Sequence, residues 1–200
     1  MNRFEQSLVS NMGSFSLDLP SETITRLGEY YSLLTRWNDR LHLVAPCEPE
    51  EFAVRHVLES LLLLRYLPEN AAVADVGSGG GLPIIPCLIA RPDLEATLVE
   101  SSQKKVVFLR EASNQLGLRA KIVARPFEDV PAPPVAFVTC RALDQFMRKL
   151  AALINWAPRG SKLLLFGGET LADQLKRASV DFEQLLIPQS EKRYLFLATD

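Results

Sequence analysis

Cysteine is scarce in this chain, and poorly spaced for structural chemistry. The three present, Cys47, Cys87 and Cys140, form no CxxC pair. That odd, scattered set argues against a disulfide framework and against a zinc site, so no metal is expected. Long apolar runs are missing too. The longest, Val57 to Leu64, is interrupted by Glu59 and Ser60 and falls far short of the ~20 residues that span a bilayer. The start, Met1-Asn2-Arg3-Phe4-Glu5, lacks the apolar core of a signal peptide. A reducing cytoplasm and no membrane are therefore expected. Net charge is almost absent, at −2, which argues against nucleic-acid binding by bulk charge but can hide a local basic patch. Internal repeats and low-complexity segments are also absent, and the 13 prolines are dispersed rather than gathered into a linker.

What is present suits one globular unit. The 200 residues are 48% hydrophobic and 23% charged, enough for one domain with a real core. We expect residues 1–200 to form one unit, with a helical extension over 1–70 and an α/β core over 71–200. In the extension, Ser21 looks like an N-cap before a periodic run from Ile24 to Trp37. Pro49-Glu50-Glu51 can open a second helix running to about Tyr66.

From residue 71 strands and helices alternate. Strands are predicted at Ala71 to Val76, Ala96 to Val99, Ile122 to Ala124, Val135 to Thr139 and Leu163 to Phe166. Helices are predicted at Gln103 to Leu116, ended by Gly117, at Asp144 to Trp156, and at Leu171 to Ala178. Such alternation predicts a parallel sheet covered on both faces. The tail reads as two further strands, Phe182 to Ile187 and Tyr194 to Ala198, joined by a polar turn. An antiparallel end on a parallel sheet marks the Rossmann-like class I methyltransferase fold.

The chemistry concentrates in Asp75-Val76-Gly77-Ser78-Gly79-Gly80-Gly81-Leu82-Pro83. This run follows a predicted strand and precedes a helix, the context a nucleotide loop needs. Four glycines within five residues would weaken a merely structural turn. Asp75 ends its strand, where a carboxylate can receive a methionine ammonium group, directly or through water. Glu100 ends the next strand about 25 residues on, where a carboxylate can accept both ribose hydroxyls. The rival ligand, NAD, wants its third glycine at position 82, which is Leu82. The register therefore favours S-adenosyl-L-methionine. On the same reading, Glu100→Ala weakens the cofactor and leaves stability unchanged.

At this point the sequence resembles the RsmG (GidB) family of bacterial 16S rRNA guanine-N7 methyltransferases. The resemblance rests on Trp37-Asn38, on Arg55-His56-Val57-Leu58-Glu59-Ser60, and on the glycine run with Leu82-Pro83 and Ile85-Pro86. It continues through Arg91-Pro92, Thr97-Leu98-Val99-Glu100-Ser101, Lys104-Lys105-Val106-Val107-Phe108-Leu109-Arg110 and Thr139-Cys140-Arg141-Ala142. It implies that Gly77, Gly79 and Leu82 line a cofactor site, with Glu100 and Ser101 by the ribose. It implies that Pro126 and Phe127 contact the adenine and that Arg141 closes the site near the methionine part. The partner implied is 16S rRNA or the small ribosomal subunit, bound by a monomer. The chain departs from the family where His42-Leu43-Val44 replaces Asn-Leu-Thr, where Cys47 replaces an arginine, and where Gly167-Gly168 replaces Lys-Gly. Glu59 and Glu100 replace aspartates.

Several side chains stay open between two readings. His56, Glu59 and Ser60 share a helical face, either beside the reacting groups, with His56 and Arg141 catalytic, or as a polar anchor for the N-terminal helices. Arg141 either meets the cofactor or guanine O6, or forms an ion pair. Cys140 raises a cytosine-C5 mechanism, which needs a thiolate, but reads more simply as a small buried residue. Arg55, Lys104 and Lys105 are candidate RNA contacts, within a locally basic stretch that includes Arg110, Arg119, Lys121 and Arg125. The alternative is a solvated helix face. Other open functions are methylation of a small molecule or protein, and cofactor sensing without catalysis.

Overall fold

A computed structural model describes residues 1–141 and 149–199. Its centre is a seven-stranded sheet, β1 (Ala72–Val76), β2 (Glu95–Val99), β3 (Ala120–Val123), β4 (Phe137–Cys140), β5 (Lys162–Gly167), β6 (Asp181–Leu186) and β7 (Tyr194–Thr199). The order is β3-β2-β1-β4-β5-β7-β6. β1 to β5 run parallel, and β7 is antiparallel to both β5 and β6. The class I methyltransferase topology expected from the tail is thus present. The chain order reverses between β1 and β4, and that switch point opens a crevice beyond the strands' carboxyl ends.

Helices cover both faces because the central strands β1, β4 and β5 are buried on both sides. Val73 and Leu98 point into one cluster shared with Phe4, Leu8, Tyr30, Phe108 and Leu109. Ala74, Val76 and Val99 point into the other, with Leu153, Leu171 and Leu175. The first face therefore carries α1 (Arg3–Asn11), α2 (Ser21–Leu41), α5 (Ile84–Ala90) and α6 (Gln103–Gln115). The second carries α7 (Leu150–Trp156) and α8 (Glu169–Arg177). The residues from Asp144 to Arg148 of the predicted seventh helix lie outside the described residues, as does Ala142.

Two local expectations change. Ser21 is the first residue of α2 rather than its cap; Pro20 stands at the N-cap and no side chain caps the helix. The helix expected from Pro49 is not uniform. It runs as α3 (Pro49–Phe52), widens into a π-helix over Ala53–Leu58, and returns to α geometry in α4 (Glu59–Leu61) before a 3₁₀ turn over Leu62–Arg65. π-turns inside α-helices are uncommon and frequent near functional sites. Here the change of winding falls where Arg141 seizes the carbonyls of Arg55 and His56.

Candidate functional site

The glycine run turns sharply at the end of β1. Gly77 has φ 72°, Gly79 φ 53° and Gly81 φ 83°, a region that side chains with a Cβ rarely adopt. Gly81 is also sterically required, since a Cβ there would sit 2.2 Å from Ile85 Cδ1. It lets α5 start close under the loop. The Gly77 amide donates to the Val99 carbonyl at 2.8 Å, which ties the loop to β2.

Glu100 is the organising side chain. It is buried, and its two oxygens accept from two backbone amides, Gly79 N–H at 2.9 Å and Ser102 N–H at 2.8 Å. The carboxylate thus staples the glycine loop to the start of α6. Each oxygen keeps a further lone pair, so the group can still accept hydroxyls from the cleft. Because it holds two amides, Glu100→Ala is now expected to cost stability as well as cofactor binding.

Beside Glu100 lies a cleft of about 600 Å³, lined by Gly77, Glu100, Ser101, Ser102, Lys105, Arg125, Pro126, Phe127, Arg141 and Lys149 among others. That volume suits a small-molecule cofactor. Phe127 packs edge-on against Trp156 with ring centroids 5.7 Å apart. Lys149 lies over the Phe127 ring and pairs with Glu128 at 2.6 Å. Lys149, Glu128 and Ser102 were not singled out in the sequence, because no local pattern sets them apart.

The remaining candidates do not line the cleft. Gly79 meets Glu100 through its amide. Leu82 is buried in the apolar core on the α2 side. Arg55 is exposed and pairs with Glu51 at 2.5 Å. Lys104 is exposed on α6. Asp75 is wholly buried beneath the loop beside Ser78, and neither carboxylate oxygen makes a hydrogen bond of good geometry. Burial pushes its carboxyl up to about 8, against the pull of the Ser78 hydroxyl, and the nearby Glu100 charge adds to the shift. A buried and poorly partnered acid under the loop, together with Glu100 and the open glycine backbone, fits a ligand carrying an ammonium group and a ribose.

Arg141 directly follows β4 and is pinned from several sides. It donates to the carbonyls of Arg55 and His56, to Ser60 Oγ at 3.1 Å and to Glu59 Oε2 at 3.1 Å. Its guanidinium lies 5.4 Å from the Phe166 ring centroid. Arg193, at the foot of β7, takes the other Glu59 oxygen at 2.7 Å. Glu59 is 1% exposed, so this is a buried Arg–Glu–Arg clasp joining the π-helical segment, β4 and the β6–β7 hairpin. These contacts are what the polar-anchor reading of the His56-Glu59-Ser60 face requires. Arg193 escaped sequence reading because only the fold brings it to Glu59.

His56 packs on Phe52 with centroids 4.9 Å apart, and its Nδ1 is buried without a partner. Burial and the positive charges of Arg141, Arg55 and Arg193 push it down to about 3, so it is neutral near pH 7. Cys140 is buried, and burial together with the Asp75 charge raises its thiol well above the ordinary range. Both fit the small buried residue of the simpler reading.

The departures from the family pattern have local accounts. Asn38 binds the backbone of residue 44 in both directions, at 3.0 and 3.1 Å, so Val44 in place of threonine costs that link nothing. His42 takes a left-handed conformation, φ 49°, tolerated by histidine better than by most residues. A side chain at position 167 would meet Leu171 at 2.7 Å.

Residues 23–197 match the GidB family, described as rRNA small subunit methyltransferase G. The chain belongs to this family. A relative named ribosomal RNA small subunit methyltransferase G from Xanthomonas axonopodis pv. citri is 42% identical over 145 residues. That match covers 72% of this chain and 65% of the relative, just under two thirds of its length. One of the same name from Gluconobacter oxydans is 36% identical over 165 residues, covering 80% and 83%. The fold is shared with a SAM-dependent methyltransferase from Aquifex aeolicus (TM-score 0.62, 14% identity, 84% and 98% covered). It is also shared with a Synechocystis magnesium protoporphyrin IX methyltransferase with bound SAM (TM-score 0.62, 15% identity, 92% and 99% covered). This GidB chain thus places its buried acid, its stapled loop and its cleft on an S-adenosylmethionine-dependent methyltransferase fold.

If the loop belongs to the cofactor site, Gly77→Val should remove S-adenosylmethionine binding in calorimetry. The branched side chain would be forced to a φ it avoids and would stand against the cleft. A folded variant with wild-type affinity would place the site elsewhere.

Proposed function

We propose that this chain transfers a methyl group from S-adenosyl-L-methionine to a guanine N7 in 16S rRNA, as one unit of residues 1–200 working as a monomer in the cytoplasm. The observation that carries the reading is the Glu100 carboxylate, held by Gly79 and Ser102 at the wall of the cleft. Family membership supports the RNA substrate. The shared core between the helical extension and the sheet supports a single unit.

When bound, the cofactor supplies an electrophilic sulfonium methyl. Glu100 and Ser101 accept and orient the ribose, and Asp75 stands under the loop for the ammonium group. Pro126 and Phe127 wall the adenine side. Lys105 and Arg125, on the cleft lining, face the incoming phosphates. Guanine N7 offers a lone pair and carries no proton, so the chain needs no general base. Holding nucleophile and methyl in line supplies the catalysis, a contribution of ~7–11 kcal/mol in well-oriented systems. His56, neutral and packed on Phe52 away from the cleft, supports Arg141 through its backbone carbonyl rather than carrying a proton. Arg141, clasped to the helix, shapes the methionine end.

The test is methyl transfer from labelled S-adenosylmethionine to RNA from a strain lacking this enzyme, offered as naked 16S rRNA and as small subunits. Incorporation into 16S and not 23S rRNA is expected. Cofactor binding without incorporation into any RNA would favour a sensor and overturn the reading.

A further inference from the structure

The buried face of α2 carries one hydroxyl group. Ile24, Leu27, Leu33 and Leu34 fill the rest of it with aliphatic side chains around Gly28. Tyr30 sits among them with no exposed surface. Phenylalanine would fill the same space at lower cost, because a buried hydroxyl must find a partner. The Tyr30 hydroxyl has one, and donates to the Gly80 carbonyl at 2.6 Å. Among the described residues this is the one hydrogen bond that ties the helical extension to the glycine loop. Burial raises the phenol above its ordinary range, the Arg141 charge opposing and the Asp75 charge adding. The group therefore stays protonated and able to donate.

The bond falls where the loop has little else to hold it. Gly77, Gly79 and Gly81 all take positive φ, and glycine has more freedom to lose on ordering than any other residue. The peptide between residues 78 and 79 is fixed from the β2 side, through the Gly79 N–H on Glu100. The peptide between residues 80 and 81 is fixed from the α2 side, through the Gly80 carbonyl on Tyr30. The Gly81 N–H turns back on the Ser78 carbonyl at 2.6 Å, a bond within the loop that moves with it. α2 also limits the space, since a Cβ at position 80 would lie 3.2 Å from Leu34 Cδ1. Glu100 and Tyr30 thus grip the Gly79–Gly80 segment from two different elements.

We propose that Tyr30 is a positioning residue for the cofactor, holding the glycine loop in its binding shape from the helical extension. This rests on the reading of the loop as the S-adenosylmethionine site. Without the hydroxyl the loop samples other shapes, and affinity falls with the fraction of time spent in the competent one. The extension is then part of the cofactor site as well as a cover for the sheet.

The test is Tyr30→Phe in the full chain, which keeps the ring and removes only the hydroxyl. Its dissociation constant for S-adenosylmethionine, by calorimetry well below the melting temperature, should rise roughly five- to tenfold, the loss of one hydrogen bond. The Gly81 amide should exchange faster in the free variant and regain protection at saturating cofactor. Leu175→Ala, in the core on the other face of the sheet, is the control. It should lower the melting temperature at least as far and bind as the unchanged chain does. If Tyr30→Phe melts earlier but binds and exchanges like the unchanged chain, Tyr30 is a core residue only and the proposal is overturned. An equal loss of affinity in Leu175→Ala would also overturn it, since general loosening would explain both. Gly77→Val separates the two readings. If it abolishes binding while Tyr30→Phe binds normally, only the Tyr30 proposal fails. If Gly77→Val itself binds normally, the loop is not the cofactor site and both fail.

Discussion

Glu100→Ala should bind S-adenosylmethionine at least tenfold more weakly than the unchanged chain, and should also melt earlier. A hydrogen bond to a charged group contributes about 1.5–3 kcal/mol, and about 1.4 kcal/mol is tenfold in affinity. The carboxylate serves twice. It accepts the Gly79 and Ser102 amides in the free protein, and on our reading it accepts the ribose hydroxyls when the cleft is filled. Truncation therefore loosens the glycine loop and removes the ribose acceptor together. Glu100→Gln, whose amide oxygen can still accept, should fall between. Titrating both variants with S-adenosylmethionine and with an analogue lacking the ribose hydroxyls separates the two roles. Loop damage weakens both ligands, and the ribose contribution appears only with the first. Equal losses would leave Glu100 as a staple and nothing more.

The second large effect is on stability. Glu59→Ala leaves Arg141 and Arg193 facing each other with no counter-charge between them. Removing one partner of a buried pair typically costs about 3–5 kcal/mol. Arg193 is partly exposed, so solvent screens its share and we expect the low end, about 3 kcal/mol. For a chain of this length that lowers the melting temperature by roughly 6–12 °C. Calorimetric melting measures it directly. A shift below roughly 2 °C would show that the clasp is incidental to stability.

These two acids mark what could be read in the sequence and what could not. Glu100 was legible because a strand, a glycine loop and a second strand set its place by spacing alone, and the sheet reproduces that register, with Asp75 opposite Leu98 and Val76 opposite Val99. The antiparallel tail was legible for a similar reason, since two short apolar runs flank one polar turn. Glu59 was seen only as one side of a helical face. Its partners lie 82 and 134 residues away, and no local period encodes such a pairing. The π-helical winding of Ala53–Leu58 was equally hidden, because the same residues suit an ordinary α-helix and the Arg141 that meets their carbonyls lies 85 or 86 residues away. Asp75 was recognised by position, but its complete burial depends on how α2 and α5 close over the sheet. Cleft residues such as Lys149 and Ser102 carry no signal in isolation, and the fold alone assembles them beside Glu100.

The most direct test of the central claim is atom-level. 16S rRNA treated with this protein and S-adenosylmethionine is cleaved by borohydride reduction and aniline, which breaks the chain where a guanine carries an N7 methyl group. The account predicts cleavage at a guanine in 16S rRNA that is absent from untreated RNA and lost when Glu100→Ala protein is used at low cofactor concentration. Methyl incorporation without any new cleavage, placing the group on another atom, or cleavage unchanged by loss of Glu100, would contradict it.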